Sequence, residues 1–257
     1  MSKHIQSLLL ISIICVLGTA NGWESARPFN FGLNKPTAHS PRVSTNWYAN
    51  SVKSTVKDFR LEQMSGTTQP ETKYELGFSF SVAGLLFPYQ LGVAHALKEN
   101  KLIVEGTPLA GSSGGALAAV LTCLSFYGLD FERIIDTTQA AFSRLRESGV
   151  SARGRLGRML SAELDELLPP EAAERLNSWA GGVRLGVTRL SPLPRACTVD
   201  RFTSRDDLAA ALLASCHIPF WVTPWPLARF RGGWAADGYF SFAPSFGCPP
   251  TLPRGLG

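Results

Sequence analysis

Gly111-Ser112-Ser113-Gly114-Gly115 separates two apolar stretches of the chain, Ile103 to Ala110 and Gly115 to Tyr127. The pentapeptide has the form Gly-x-Ser-x-Gly with Ser113 at its centre. That form carries physical content on a sharp strand-to-helix turn, where the serine is held in a strained backbone conformation and the flanking glycines remove side chains that would clash. The hydroxyl then projects at a helix N-terminus, whose amides and dipole favour developing negative charge. The first stretch reads as a strand and the second as a helix, so the context fits. A glycine-rich turn without chemistry is the plainer alternative. A phosphate loop is excluded by the missing Lys-Ser/Thr ending, and a dinucleotide fingerprint by the glycine spacing.

Upstream, Tyr74 to Val82 alternates Leu76, Phe78, Phe80 and Val82 with smaller residues and reads as a strand. A loop, Ala83 to Phe87, leads to Pro88, which opens a helix from Tyr89 to Glu99. Downstream, two or three charged helices fit between Asp130 and Asn177, then strands at Gly182 to Leu190 and Ala196 to Phe202. Ser204 caps a helix with Asp206 and Asp207 in its first turn, ending near Ser215, and Phe230 to Ala235 is a last strand. Alternating strands and helices imply an α/β layer architecture with a largely parallel sheet.

The chain has 257 residues, 45% of them hydrophobic and 18% charged, with a net charge of +5. That suits one globular domain with a sizeable core and excludes a disordered chain. The basic balance favours an anionic surface, but no arginine-rich tract or zinc spacing points to nucleic acid. Four histidines and no Cys-x-x-Cys leave no metal cage, and no apolar run approaches the ~20 residues of a membrane span. Residues 1–20 resemble a secretory signal: Lys3 and His4, then the apolar run Leu8 to Leu17, then Gly18-Thr19-Ala20. Residues 21–73 are polar and acid-poor, a linker or the second half of a plastid-targeting leader, and the folded domain is expected over 74–257. Cys123, Cys197, Cys216 and Cys248 allow two disulfides but do not require them, and Cys123 suits a buried free thiol.

A nucleophilic serine needs a base. Of His4, His39, His95 and His217, only His217 follows Ser113, so a Ser-His-Asp triad would have to use His217 with Asp206 or Asp207. A buried carboxylate could serve instead if burial raised its proton affinity. Asp237, in Trp234-Ala235-Ala236-Asp237-Gly238, lies just past the last strand beside a glycine; an ordinary Asp-Gly turn is its bland reading.

These residues together resemble the patatin-like phospholipase family over roughly Tyr74 to Ser245. The elbow is Gly111 to Gly115, the later aspartate motif is Asp237-Gly238-Tyr239, and Ala214-Ser215-Cys216-His217-Ile218-Pro219 looks like the family's Ala-Ser-x-x-Ile-Pro segment. Phe78 to Ala94 resembles its first strand, oxyanion loop and following helix. The resemblance implies a three-layer α/β fold with a largely parallel central sheet, and a Ser–Asp dyad of Ser113 and Asp237. It further implies an oxyanion hole near Gly84 and Leu85, motif glycines Gly111, Gly115 and Gly238, a lipid substrate at a membrane or droplet surface, and neither metal nor organic cofactor. The sequence departs from the pattern twice: the oxyanion loop keeps Gly84 alone where the family has several glycines, and Tyr239 stands where it has a small residue. The thin loop motivates an alternative, a lipid-binding protein without turnover.

Two clusters are ambiguous. Phe220, Trp221, Trp225, Phe230 and Trp234 read first as core packing, otherwise as an acyl groove or lipid interface. Arg144, Arg146, Arg153, Arg155 and Arg158 read first as a solvated helix face, otherwise as a site for anionic headgroups. The twenty residues after Asp237 are rich in proline and glycine. They are expected to end short of a complete catalytic domain, leaving the Asp237 strand with an unpaired edge and a wetter carboxylate.

Overall fold

The computed structural model describes residues 76–147, 153–190, 193–242, 245 and 247–251. The expected leader and polar segment, residues 1–73, lie outside the described residues. Along the chain run β1 (Phe78–Phe80), α1 (Phe87–Glu99), β2 (Leu109–Ser112), α2 (Gly114–Leu124), α3 (Phe131–Glu147), α4 (Leu156–Leu167) and α5 (Ala172–Ser178). There follow β3 (Val183–Arg189), β4 (Arg195–Val199), α6 (Arg205–Ser215), β5 (Ala228–Phe230), β6 (Gly233–Asp237) and the short α7 (Tyr239–Phe242).

The mixed α/β architecture is present. β1, β2 and β3 form a parallel ladder. β4 and β6 pair antiparallel with β3, and β5 pairs antiparallel with β6. Residues Val187 to Arg189 of β3 pair with both β4 and β6, whereas Leu185 and Gly186 pair with β4 and β2. A strand has two edges, so β2 and β6 share one edge of β3, end to end. Every residue of α2 is buried, as its all-round apolar sequence demands, and it packs on β1, β2 and β3. α3 instead buries Phe131, Ile134, Thr138 and Ala141 along one stripe. Ser204 caps α6 as its sequence implies, its hydroxyl accepting from the Asp207 amide at 3.1 Å.

Several elements differ from the sequence reading. β1 is confined to Phe78–Phe80, and β2 begins only at Leu109. A turn occupies the residues before β2: Gly106 has φ 85°, and Thr107 Oγ1 accepts from the Val104 amide at 2.9 Å. The single strand expected at Phe230 to Ala235 is a hairpin, because Arg231 and Gly232 take φ of 44° and 73° and reverse the chain in two residues. Asp237 thus closes β6 instead of following it.

The expectation of an unpaired, wet Asp237 strand is overturned. β6 is flanked by β3 and β5, and Asp237 is 1% exposed. The described residues 247–251 fold back onto the sheet: Ser79 Oγ donates to the Pro249 carbonyl at 2.7 Å, and the Arg184 guanidinium donates to that of Thr251. Irregular backbone here packs through side-chain donors without ladder pairing. Core packing of the aromatic cluster is also corrected. Phe230 is buried, but Phe220, Trp221, Trp225 and Trp234 are each more than two-fifths exposed. Cys123, Cys197, Cys216 and Cys248 are free thiols, with Cys123 buried in α2 as read.

Candidate active site

Ser113 sits between the last residue of β2 and the first of α2 with φ 56° and ψ −128°. A non-glycine residue at positive φ costs on the order of 1–3 kcal/mol and persists only where its surroundings over-determine it. They do so here. A β-carbon on Gly111 would stand 2.1 Å from the Gly115 carbonyl oxygen, and one on Gly115 would stand 2.2 Å from that of Phe80. The two motif glycines let the start of α2 press against β2 and β1, and the turn has no other route. The Ser113 amide is held by Ser215 Oγ at 2.9 Å, and that hydroxyl in turn donates to the Gly186 carbonyl at 2.7 Å.

Asp237 reaches Ser113 through β3. Ser112 is registered against Gly186 and Asp237 against Val187, consecutive positions on one strand. The aspartate amide donates to the His217 carbonyl at 2.9 Å, and the Gly238 amide to that of Ser215 at 3.2 Å. Gly238 is required by close approach, since its β-carbon would lie 2.4 Å from the Gly186 oxygen. Asp237 Oδ1 accepts from the Tyr239 amide at 2.8 Å, while the buried Oδ2 has no aligned partner. Burial pushes the carboxyl up to about 6, against smaller lowering effects from the Tyr239 amide and the nearby Ser113 hydroxyl. The hydroxyl therefore lies within hydrogen-bonding influence of a carboxylate that has an open lone pair.

Ser113 and Gly114 open onto an apolar cavity of about 340 Å³. Its wall is built by Leu117 and Leu121 of α2, Phe142 of α3, and Met159, Leu160 and Leu164 of α4. Gly84 and Leu85 line the same cavity. They begin a 3-10 turn, Gly84–Leu86, whose Gly84 takes φ 51°. Its amide nitrogen lies 3.4 Å from where a β-carbon of Gly114 would stand. First-turn amides have no intrahelical acceptor, and Gly84, Leu85 and Gly114 line the same cavity as Ser113. The single glycine of this loop is thus at the position whose left-handed backbone calls for it.

His217 goes elsewhere. Its imidazole is buried against the Trp225 carbonyl at 3.2 Å and lines a different cavity from Ser113. Desolvation lowers its proton affinity, against hydrogen bonding to the backbone carbonyls of Trp225 and Pro226. Asp207 is paired with Arg231 at 2.6 Å, and Asp206 is exposed. Neither aspartate is paired with His217. The Tyr239 ring is exposed, edge-on to Phe240, and forms no part of the Ser113 cavity wall. Two neighbours of Ser113 carried no site assignment in sequence: Ser215, whose role depends on partners in β2 and β3, and Cys216, a neutral buried thiol beside the serine hydroxyl. Among the described residues no group of three or more His, Cys, Asp or Glu could hold a metal.

The site thus sets a strained serine elbow, which opens onto an apolar cavity, beside a desolvated aspartate on an α/β sheet. Residues 78–244 match the patatin-like phospholipase family, and the chain belongs to it. It is 26% identical over 183 residues to the human omega-hydroxyceramide transacylase, covering 70% of this chain and 33% of that protein. It is 30% identical over 172 residues to the mouse 1-acylglycerol-3-phosphate O-acyltransferase Pnpla3, covering 66% of this chain and 40% of that protein. With human patatin-like phospholipase domain-containing protein 4 the identity is 28% over 189 residues, 70% of this chain and 68% of the relative. The chain thus spans between a third and two-fifths of the first two relatives. At the family level the relatives are lipid hydrolases and acyltransferases.

Proposed function

We propose that the protein is a lipid acyl hydrolase that cleaves carboxylic esters of phospholipids, galactolipids or acylglycerols with Ser113 as nucleophile and Asp237 as base. The observation that carries this is the open Oδ2 of a buried carboxyl, pushed up to about 6, beside the hydroxyl of a serine strained at φ 56°. The Ser113 oxygen attacks the ester carbonyl carbon as its proton passes to Asp237. Amides of Gly84, Leu85 and Gly114 stabilise the tetrahedral oxyanion. Collapse breaks the ester bond, and Asp237 returns the proton to the departing alcohol. Water then attacks the acyl-serine with Asp237 again as base, and the freed acid leaves the serine reprotonated. The acyl chain occupies the apolar cavity, whose walls offer it Leu and Met side chains in place of water.

Acyl transfer is the second reading, favoured by the two relatives named as a transacylase and an acyltransferase. It differs only in the acceptor that meets the acyl-serine. The lipid-binding alternative without turnover is separated from both by a fluorophosphonate probe: labelling of Ser113 supports an activated nucleophile, and no labelling supports the binding module. Free fatty acid released without an added acceptor distinguishes hydrolysis from transfer. Undiminished turnover in excess chelator is expected. Passage through the secretory pathway, or into a plastid, belongs to the same proposal; N-terminal sequencing of the native protein tests it, and an intact Met1 would remove it.

A further inference from the structure

We propose that residues 218–225 and the arginine-bearing start of α4 form one docking surface for an anionic lipid bilayer, set at the mouth of the Ser113 cavity. Large aromatic side chains in this stretch face outward: Phe220 is 51% exposed, Trp221 46% and Trp225 72%. Phe220 holds φ 61°, a conformation that costs a bulky residue energy and persists because the loop is tied down. Gly154 donates to the Trp221 carbonyl at 2.6 Å, Gly157 to that of Val222 at 2.8 Å, and the Arg153 guanidinium to that of Phe220 at 3.4 Å. These bonds join the aromatic loop to the segment carrying Arg153, Arg155 and Arg158, all exposed. No acidic residue occurs from Arg153 through Ala162.

A fixed row of exposed indole and phenyl rings beside three guanidinium groups matches the layering of a bilayer surface. Aromatic rings settle at the depth of the headgroups, and cations meet the lipid phosphates and carboxylates above them. A protein partner would need the same patch to be matched by one rigid apolar surface, whereas a bilayer accommodates rings of unequal exposure. The placement gives the surface its use. Trp221 and Ile218 line the Ser113 cavity, as does Leu85, itself 53% exposed, on the oxyanion loop. A bilayer seated on residues 218–225 therefore meets the cavity mouth, and an acyl chain enters without crossing water. This last step rests on the acyl-hydrolase reading; the docking itself does not.

The test is sedimentation of the full chain with vesicles of phosphatidylcholine alone and of an equal mixture of phosphatidylcholine and phosphatidylserine. Tighter binding to the mixed vesicles is expected, with tryptophan emission shifted to the blue. Phe220→Gly with Trp225→Ser, which suits the positive φ and leaves the Ser113 cavity wall intact, is expected to weaken binding to both compositions about tenfold. Arg155→Glu and Arg158→Glu are each expected to remove about fivefold of the preference for the anionic vesicles. Hydrolysis of a soluble short-chain ester should be unchanged in all of these, and the melting temperature should not fall. Wild-type binding with no hydrolysis of the soluble ester would sink the hydrolase reading and keep the docking surface. Hydrolysis with no vesicle binding, or variants that bind like wild type, would overturn the docking surface alone. So would a dimer in solution that the aromatic pair of substitutions dissociates, because the patch would then be an interface between copies of this chain.

Discussion

The amide of Ser113 donates to the hydroxyl of Ser215 at 2.9 Å, and that hydroxyl donates in turn to the Gly186 carbonyl at 2.7 Å. The Ser215 carbonyl accepts from Gly238. One buried residue at the end of α6 thus braces the serine elbow, β3 and the aspartate turn together. Ser215→Ala leaves a buried amide and a buried carbonyl unpaired, each costing about 1–3 kcal/mol. A clear drop in melting temperature is expected, together with a fall in kcat on a soluble ester that exceeds any change in KM. A variant with wild-type melting and kcat would show that the elbow holds its geometry without this brace.

Under the proposed dyad, Ser113→Ala and Asp237→Asn each abolish ester hydrolysis, whereas His217→Ala keeps most of the turnover of the molecules that remain folded. His217 hydrogen-bonds the Trp225 carbonyl and contributes to a separate cavity, so its loss costs stability before chemistry. Circular dichroism of each variant beside its kcat separates the two effects. If folded His217→Ala were as inactive as Ser113→Ala, a histidine base would replace the aspartate.

The Asp237 carboxyl lies at about 6 against an ordinary 3.8, and both activity and stability inherit a pH dependence. As a base it works only when ionised, so hydrolysis of a soluble ester should rise through pH 6 and level off above 7. Stability runs the other way. The folded chain holds this proton more tightly than the unfolded chain, so stability contributed by the group is full below pH 3.8. It is lost progressively between 3.8 and 6. Asp237→Asn removes that loss and should stabilise the protein at pH 8 by on the order of 2 kcal/mol, with little effect near pH 4. Melting curves of both proteins at the two pH values check the sign; a destabilised Asn variant at pH 8 would contradict it.

Two glycines separate steric need from conformational freedom. Gly111→Ala puts a methyl 2.1 Å from the backbone oxygen of Gly115, which cannot retreat, and a loss on the order of 3 kcal/mol or more is expected. Gly92 lies exposed within α1 with nothing within 4 Å of its missing β-carbon. Gly92→Ala should therefore stabilise by about 0.5–1 kcal/mol through the unfolded chain. Thermal melting of the pair decides it, and a tolerated Gly111→Ala would mean that the elbow can open.

By itself the sequence determined the local pieces. The strand–serine–helix turn is legible because its glycines and flanking apolar runs state a steric requirement within a few residues. The α6 cap is legible for the same reason, Ser204 and Asp207 being one turn apart. Only the tertiary structure decided that Gly186 and Val187, adjacent on β3, hold Ser112 and Asp237 in consecutive register. The dryness of Asp237 also escaped the sequence, because Val187 of β3 and the His217 and Ser215 carbonyls at the end of α6 hold a strand end that looked exposed. The outward-facing rings of Phe220, Trp221 and Trp225 read as core, since apolar composition does not say which face of a loop is covered. Local backbone preferences and caps are settled by neighbours in the chain. Burial, and with it proton affinity and surface character, is settled by segments that meet only when the sheet is assembled.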